Sequence, residues 1–239
     1  MALIQERIVI IGGTSGIGLA AAHQLAQSGA HVIVAGRDEA GLRNAVNEIG
    51  HGASGRAVDA NDPARLRAFF ADVGSIDHLV LTLSGGEGAG PLKDLDLARL
   101  RAGFEAKFWA HVAAAQAALP VLKTAGSVTF VTAASAGGHL PGTSGLAAIN
   151  GALNAMVPVL AAELKPLRVN AVSPGAIDTP WWDKWPAEQK AALFNQIAAT
   201  SPVGRIGRPE DVADTIAFVV RNGFVTGQVI QCDGGIQLS

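Results

Sequence analysis

The feature that most limits what this chain can fold into is a glycine-rich turn near its start. The apolar run Arg7–Ile11 enters Gly12-Gly13-Thr14-Ser15-Gly16-Ile17-Gly18, the helical stretch Gly18–Ser28 follows, and a second apolar run comes at His31–Ala35. Glycines placed this way let the backbone turn tightly and pass close to a ligand. A helix that starts in such a turn presents free N–H groups and partial positive charge, which suits a pyrophosphate. A strand before the turn, a helix after it and a second strand beyond are the context in which a Gly-rich turn reads as dinucleotide-binding.

The alternation continues along the chain. Apolar runs recur at Gly55–Val58, His78–Leu83, Ser127–Thr132, Arg168–Val172 and Gln228–Gln231. Helical stretches lie at Glu39–Ile49, Ala64–Val73, Leu97–Leu119 and Leu146–Leu164. The runs do not alternate polar with apolar, which predicts parallel strands covered on both faces. The fold class is therefore α/β, a Rossmann-like doubly wound parallel β-sheet flanked by helices. The 239 residues suit a single domain spanning 1–239. The one long irregular stretch runs from about Pro174 to Pro202, and 176–202 reads as a lid.

Composition removes several function classes. A net charge of −2 without a long basic run argues against nucleic acid as a partner. Cys232 is the sole cysteine, which excludes a disulfide framework and a Cys-cluster metal site and suits a reducing, cytoplasmic setting. No apolar run is seen to reach the roughly 18 residues of a membrane span, so no membrane partner is expected. A strand that starts within the first few residues argues against a signal peptide. No His, Cys or carboxylate spacing suggests a metal, and no nucleophile elbow suggests a hydrolase. The chain has four Trp and eight Phe but no Tyr.

These motifs together resemble the short-chain dehydrogenase/reductase family, and the likeness covers nearly the full length. The Gly-x-x-x-Gly-x-Gly pattern falls on Gly12, Gly16 and Gly18, with Ile11 where a Thr often opens it. Asp59 matches the adenine-contacting Asp. Asn170-Ala171-Val172-Ser173-Pro174-Gly175, followed by Thr179, matches the segment that lines a nicotinamide. Gly207-Arg208-Pro209-Glu210-Asp211-Val212 and Thr226-Gly227-Gln228 with Asp233-Gly234-Gly235 also match. The resemblance implies a cofactor held at the turn by Gly12, Thr14, Ser15, Gly16, Ile17 and Gly18. It adds Arg37, Asp59 and Ala60 at the adenine end, and Leu83, Ser84 and Gly85 after the fourth strand. Thr132, Asn150, Pro174, Gly175, Ile177 and Thr179 complete the set.

The end of the second strand bears on NAD against NADP. An acidic residue there would bind the ribose 2′-OH and repel a 2′-phosphate. This chain has Gly36 followed by Arg37, whose guanidinium suits a phosphate. The cofactor reading is therefore NADP(H), with the Asp38 side chain expected to point away from Arg37.

The resemblance also locates the four positions where the family reduces carbonyls with an Asn, a Ser, a Tyr and a Lys. They hold Lys107, Ala134, Leu146 and Asn150. The orienting hydroxyl, the proton donor and its charged partner are absent, and without any Tyr no shift of alignment restores the donor. Ser135 stands beside the Ser position, and His139, Thr143 and Ser144 follow on the same loop. Lys107, Ser135 and Asn150 are the remaining candidates for chemistry. Burial can lower a lysine pKa enough for acid–base work. Trp181, Trp182 and Trp185 on the lid suit a small-molecule substrate that is aromatic or bulky and apolar.

The leading expectation is an NADP(H)-dependent oxidoreductase with a rearranged site and weak or absent ordinary ketone and alcohol activity. A catalytically silent NADP(H)-binding protein, serving as redox sensor or assembly partner, is the alternative. A lyase or isomerase that uses bound cofactor structurally is a third. Ala113–Ala115, Ala117–Ala118, Ala147–Ala148 and Ala152 allow close helix approach, and in the family these helices pair across subunits. A homotetramer or homodimer is expected.

Overall fold

The computed structural model describes residues 3–238. Seven parallel strands form one sheet in the order β3-β2-β1-β4-β5-β6-β7. They are β1 (Arg7–Ile11), β2 (His31–Gly36), β3 (Ser54–Ala57), β4 (Ile76–Leu81), β5 (Leu122–Val131), β6 (Arg168–Pro174) and β7 (Val229–Cys232). The helices are α1 (Gly16–Gln27), α2 (Glu39–Ile49), α3 (Pro63–Val73), α4 (Leu97–Gly103), α5 (Ala110–Ala118), α6 (Ser144–Glu163), α7 (Ala187–Thr200) and α8 (Pro209–Arg221).

Successive residues of a strand point to opposite faces, so β1 feeds two cores. Ile8 and Ile10 pack with α1, α2 and α8 on one side. Val9 and Ile11 pack with α3, α5 and α6 on the other. The chain starts its helices with aspartates: Asp38, Asp62 and Asp96 each accept two backbone N–H groups at the head of α2, α3 and α4. Strand order reverses between β1 and β4. The connections at their C-terminal ends diverge there and leave the crevice where ligands bind in open α/β sheets.

Several sequence readings are corrected. Two strands start earlier than the apolar runs: β4 ends at Leu81 although apolar Leu83 continues the pattern beyond the sheet, and β5 begins at Leu122, where exposed Lys123, Thr124 and Ala125 carry no apolar signal. β3 is not covered on both faces. It is the sheet's edge, and Gly55, Arg56 and Ala57 are exposed. Leu97–Leu119 is not one regular helix, since a π-helical turn at Phe104–Trp109 separates α4 from α5. The stretch Pro174–Pro202 is not irregular throughout, because it contains a 3-10 turn at Pro180–Trp182 and all of α7. The sequence reading also passed over α8, although Val212, Ile216, Val219 and Val220 form a clear buried stripe. Finally, α6 is long and apolar enough for a membrane span, with mean hydropathy 1.5, although only 28% of it is buried. Asn150, Asn154 and Pro158 interrupt its apolar run without lowering the average enough. Its Leu153 and Val157 pack into the core beside the sheet, which places it in the domain.

Candidate active site

The glycine turn is shaped by close approach. A Cβ on Gly18 would stand 2.2 Å from the Gly12 carbonyl oxygen, and one on Gly12, whose φ is +93°, would meet Thr82 Oγ1 at 2.7 Å. Gly16 has φ +51° and lies against Thr179, 3.2 Å from where its Cβ would be. The segment after β6 therefore seats directly on the turn. Ser15 caps α1 without a side-chain hydrogen bond. The first N–H groups of any helix lack intrahelical partners, and here the cap side chain takes none of them. This cradle fits a pyrophosphate, and any side chain at Gly18 would push the start of α1 off Gly12 and Thr82.

A cleft of about 710 Å³ opens from the turn across the C-terminal ends of β1, β4, β5 and β6. Of the cofactor residues read from sequence, it gathers Gly12, Ser15, Gly16, Ile17 and Gly18, then Leu83, Ser84 and Gly85. Thr132, Asn150, Pro174, Gly175, Ile177 and Thr179 also line it. Thr14, Arg37, Asp59, Ala60 and Trp185 do not. Thr14 instead packs against Gly36, 3.1 Å from its would-be Cβ. Arg37 is exposed at the end of β2, and Ala60 is buried beyond β3. The Asp59 carboxylate accepts from the Asn61 backbone N–H at 3.0 Å. Asp38 is turned into its own helix, accepting from Ala40 and Gly41 N–H. That leaves Arg37 without competition from Asp38.

Lys107, Ala134, Ser135, Leu146 and Asn150 all line the cleft. Lys107 sits in the π turn, where the extra residue per turn rotates the helix face. Its Nζ donates to the Thr132 carbonyl at 3.0 Å. Burial of the ammonium pulls its pKa from 10.5 to about 8. Asn150 is 4% exposed. Its Nδ2 donates to Leu146 O at 2.9 Å and to Ser135 Oγ at 3.2 Å, while its Oδ1 has no partner among the described residues. A buried unpaired carbonyl is unfavourable unless a ligand donor meets it. Ser135 accepts from Asn150 and keeps its own O–H free to donate.

The 3-10 turn Pro180–Trp182 borders this region. Trp181 Nε1 donates to Gly85 O at 3.0 Å and Trp182 Nε1 to Ile177 O at 2.8 Å. Lys184 Nζ lies 4.1 Å above the Trp181 ring. Trp181 and Trp182 line the cleft edge to face, with ring centroids 4.7 Å apart, whereas Trp185 packs outside against Trp182. His139 and Thr143 line the mouth; Ser144 does not and begins α6 instead.

Sequence reasoning passed over four contributors. Thr82 seats on Gly12 and Gly18 and donates to Ile11 O at 3.0 Å. Gln237 reaches back from the far end of the chain to donate to Ala134 O at 3.0 Å. α7 supplies Leu193 and Ile197. His111, fully buried beneath Lys107, has Nδ1 2.7 Å from Lys107 O and Nε2 3.2 Å from Leu81 O. A neutral ring has one N–H and can satisfy one of these carbonyls. Burial, and then the Lys107 charge, nevertheless hold the pKa of His111 down to about 3. Only His111 carried a readable signal, four residues after Lys107 on one helical face.

Comparison with known proteins places the chain among dehydrogenases and reductases. A family model described as Enoyl-(Acyl carrier protein) reductase matches residues 12–237. The chain is 35% identical to cis-4-hydroxycyclohexanecarboxylate dehydrogenase of Sinomonas cyclohexanicum, over 96% of each protein. It is 32% identical to subunit BbsD of (2S)-[(R)-hydroxy(phenyl)methyl]succinyl-CoA dehydrogenase of Thauera aromatica, over 98% of each. Among solved structures, a small-chain dehydrogenase in complex with NADPH superimposes with TM-score 0.86 at 31% identity, covering 98% of this chain and 100% of that one. The MalC reductase/Diels-Alderase of Malbranchea aurantiaca gives TM-score 0.89 at 27% identity, covering 100% and 98%. The chain belongs to the short-chain dehydrogenase/reductase family, a class of oxidoreductases.

Proposed function

We propose that this protein is an NADP(H)-dependent oxidoreductase whose rearranged site favours electron-poor acceptors over ordinary ketones and alcohols. The observation that carries the reading is the Lys107 ammonium at the cleft, in a site where Ala134 and Leu146 supply no hydroxyl. When bound, the cofactor would supply hydride chemistry; the Gly12–Gly18 turn would hold its pyrophosphate, Arg37 its 2′-phosphate, and Asn150 Oδ1 would accept from a ribose hydroxyl. The NADPH complex of a 31% identical relative supports the choice of cofactor.

The remaining chemistry belongs to the side chains. Lys107 places positive charge where electron density builds on the substrate, and Ser135 donates its free O–H. Trp181 and Trp182 stack on an aromatic or apolar body and exclude water. General acid catalysis contributes about 10²–10⁴-fold, whereas holding donor against acceptor contributes about 7–11 kcal/mol. Loss of the tyrosine therefore leaves the larger effect in place. Activated alkenes, quinones and iminium ions need least proton donation and are the preferred substrate classes. The enoyl-reductase description of the family model and the dual reductase/Diels-Alderase on this fold are consistent with such chemistry.

NADPH oxidation across a panel of these acceptors and simple ketones tests the reading. Turnover of the activated acceptors, lost in Lys107→Met with cofactor affinity within a few-fold, is the expected result. Robust ketone reduction by the wild type, or a fully active Lys107→Met, overturns it. No turnover with any acceptor favours the silent NADP(H)-binding protein. Introducing Ser, Tyr and Lys at 134, 146 and 150 should raise ketone reduction.

The same reading includes a homotetramer. Trp109 and Val159 are 52% and 61% exposed on the π turn and on α6, and only Gly145, Ile149, Asn150, Leu153 and Val157 of α6 are buried. A monomer mass by light scattering at micromolar concentration would contradict it.

A further inference from the structure

We propose that Lys107 is also a covalent capture site, whose free amine condenses with the carbonyl of an apolar or aromatic aldehyde to form an imine. This deepens the reading above by naming a second use of the same cleft.

Three observations carry it. First, Lys107 lines a cleft of about 710 Å³ that is large enough for a small ligand. Second, the lysine has no acidic partner among the described residues. The one carboxylate lining the cleft, Glu87, is held by Arg99 at 2.6 Å. Of the other titratable groups nearby, His111 lies beneath on α5 and stays neutral, and His139 is exposed at the mouth. Lys184 belongs to the lid and lies over Trp181. No anion therefore holds Lys107 in its charged form. Third, its hydrogen-bond partner is the Thr132 carbonyl, which accepts from an ammonium and, more weakly, from a neutral amine. That contact anchors one N–H in either state and leaves the lone pair of the neutral amine available.

Burial supports the geometry. With the pKa near 8 instead of 10.5, the free-amine fraction at neutral pH rises roughly 300-fold. The walls select the carbonyl compound: Leu146, Ile149, Leu193 and Ile197 with Trp181 and Trp182 favour an apolar or aromatic body. The step balances without an oxidant. The amine lone pair adds to the carbonyl carbon. The two amine protons and the carbonyl oxygen depart as one water, and a carbon–nitrogen double bond replaces the carbon–oxygen one.

The test uses the full chain, benzaldehyde as probe and glycolaldehyde as the polar comparison, with sodium cyanoborohydride to trap the imine as a secondary amine. Peptide mass spectrometry then compares Lys107 with Lys93, Lys123, Lys165, Lys184 and Lys190. At pH 7 benzaldehyde should label Lys107 about tenfold faster than their average, and glycolaldehyde should show no such preference. Labelling of Lys107 should level off above pH 8. Labelling spread evenly over all lysines, or an unlabelled Lys107 at pH 8, overturns the proposal. In Lys107→Arg, which keeps the charge, the fast-reacting site should vanish while cofactor binding reports an intact fold. The readout needs no turnover, so an adduct without NADPH oxidation would sink the reductase reading and leave this one standing, and the reverse result would do the opposite.

Discussion

At the β1–α1 turn the backbone does the work, and across the cleft the side chains do. The turn needs only that glycines stand where carbonyls and Thr82 approach within van der Waals contact, and its N–H groups serve any phosphate. The opposite wall depends on Lys107, Ser135 and Asn150, each held by one or two hydrogen bonds and each half or fully buried. The first region is constrained by shape. The second is under electrostatic strain: a desolvated ammonium, an unpaired amide oxygen and a buried imidazole facing two carbonyls. Such strain is stabilising nowhere, and it concentrates where a ligand or a reaction can relieve it.

The largest expected effect exposes that strain by pH. His111 has a folded pKa near 3 against 6.5 in the unfolded chain. The unfolded state then binds more protons below 6.5, so stability falls as pH drops from 6.5 toward 3, by up to roughly 5 kcal/mol. His78, buried against Ser127 and Glu6, is depressed in the same direction, so it adds to the same loss. Denaturant titrations from pH 7 to 4 should show the loss, and His111→Phe should flatten it.

A steric break at the other region comes next. Gly18→Val should lower NADPH affinity by about 3 kcal/mol or more, over 100-fold, measured by titration calorimetry. Unchanged affinity would mean that the turn does not hold the cofactor.

Lys107→Met sharpens the contrast from the stability side. The folded lysine gives up its proton near pH 8 and the unfolded one near 10.5, so burying it costs about 3 kcal/mol at pH 7, regained as pH rises from 8 to 10.5. The variant should be more stable at pH 7 by up to that amount and lack the alkaline gain, as followed by chemical denaturation. Equal stability at both pH values would show that the ammonium is well solvated.

The smallest effect lies at the exposed rim. Arg37→Ala should weaken NADPH about tenfold, roughly 1.4 kcal/mol, and leave NADH unchanged, as measured by calorimetry. Equal changes for both cofactors would remove Arg37 from the 2′-phosphate.

Much of the fold was legible because its signals are local. The Gly12–Gly18 turn, the apolar runs of β1, β2 and β6, and the Glu39–Ile49 helix can each be read from adjacent residues. Less legible were elements whose signal is weak or whose limits are set by neighbours. None of the residues of α7 is fully buried, so it shows little apolar stripe. β4 stops at Leu81 because the chain turns there over the glycines, although Leu83 continues the apolar pattern. Lys107, Ala134, Leu146 and Asn150 were visible as residue types, but their meeting in one cleft was not.

By itself the sequence determined the α/β class, the glycine-rich turn after β1 and the absence of any tyrosine. These follow from residue type and short-range spacing. Only the tertiary structure decided that a π turn carries Lys107 to the Thr132 carbonyl, that Gln237 closes on Ala134, and that His111 lies buried beneath the lysine. Lys107 and Thr132 are 25 residues apart, and Ala134 and Gln237 are 103. Burial, and the pKa it imposes, depends on everything packed around a group, and no stretch of neighbouring residues encodes that.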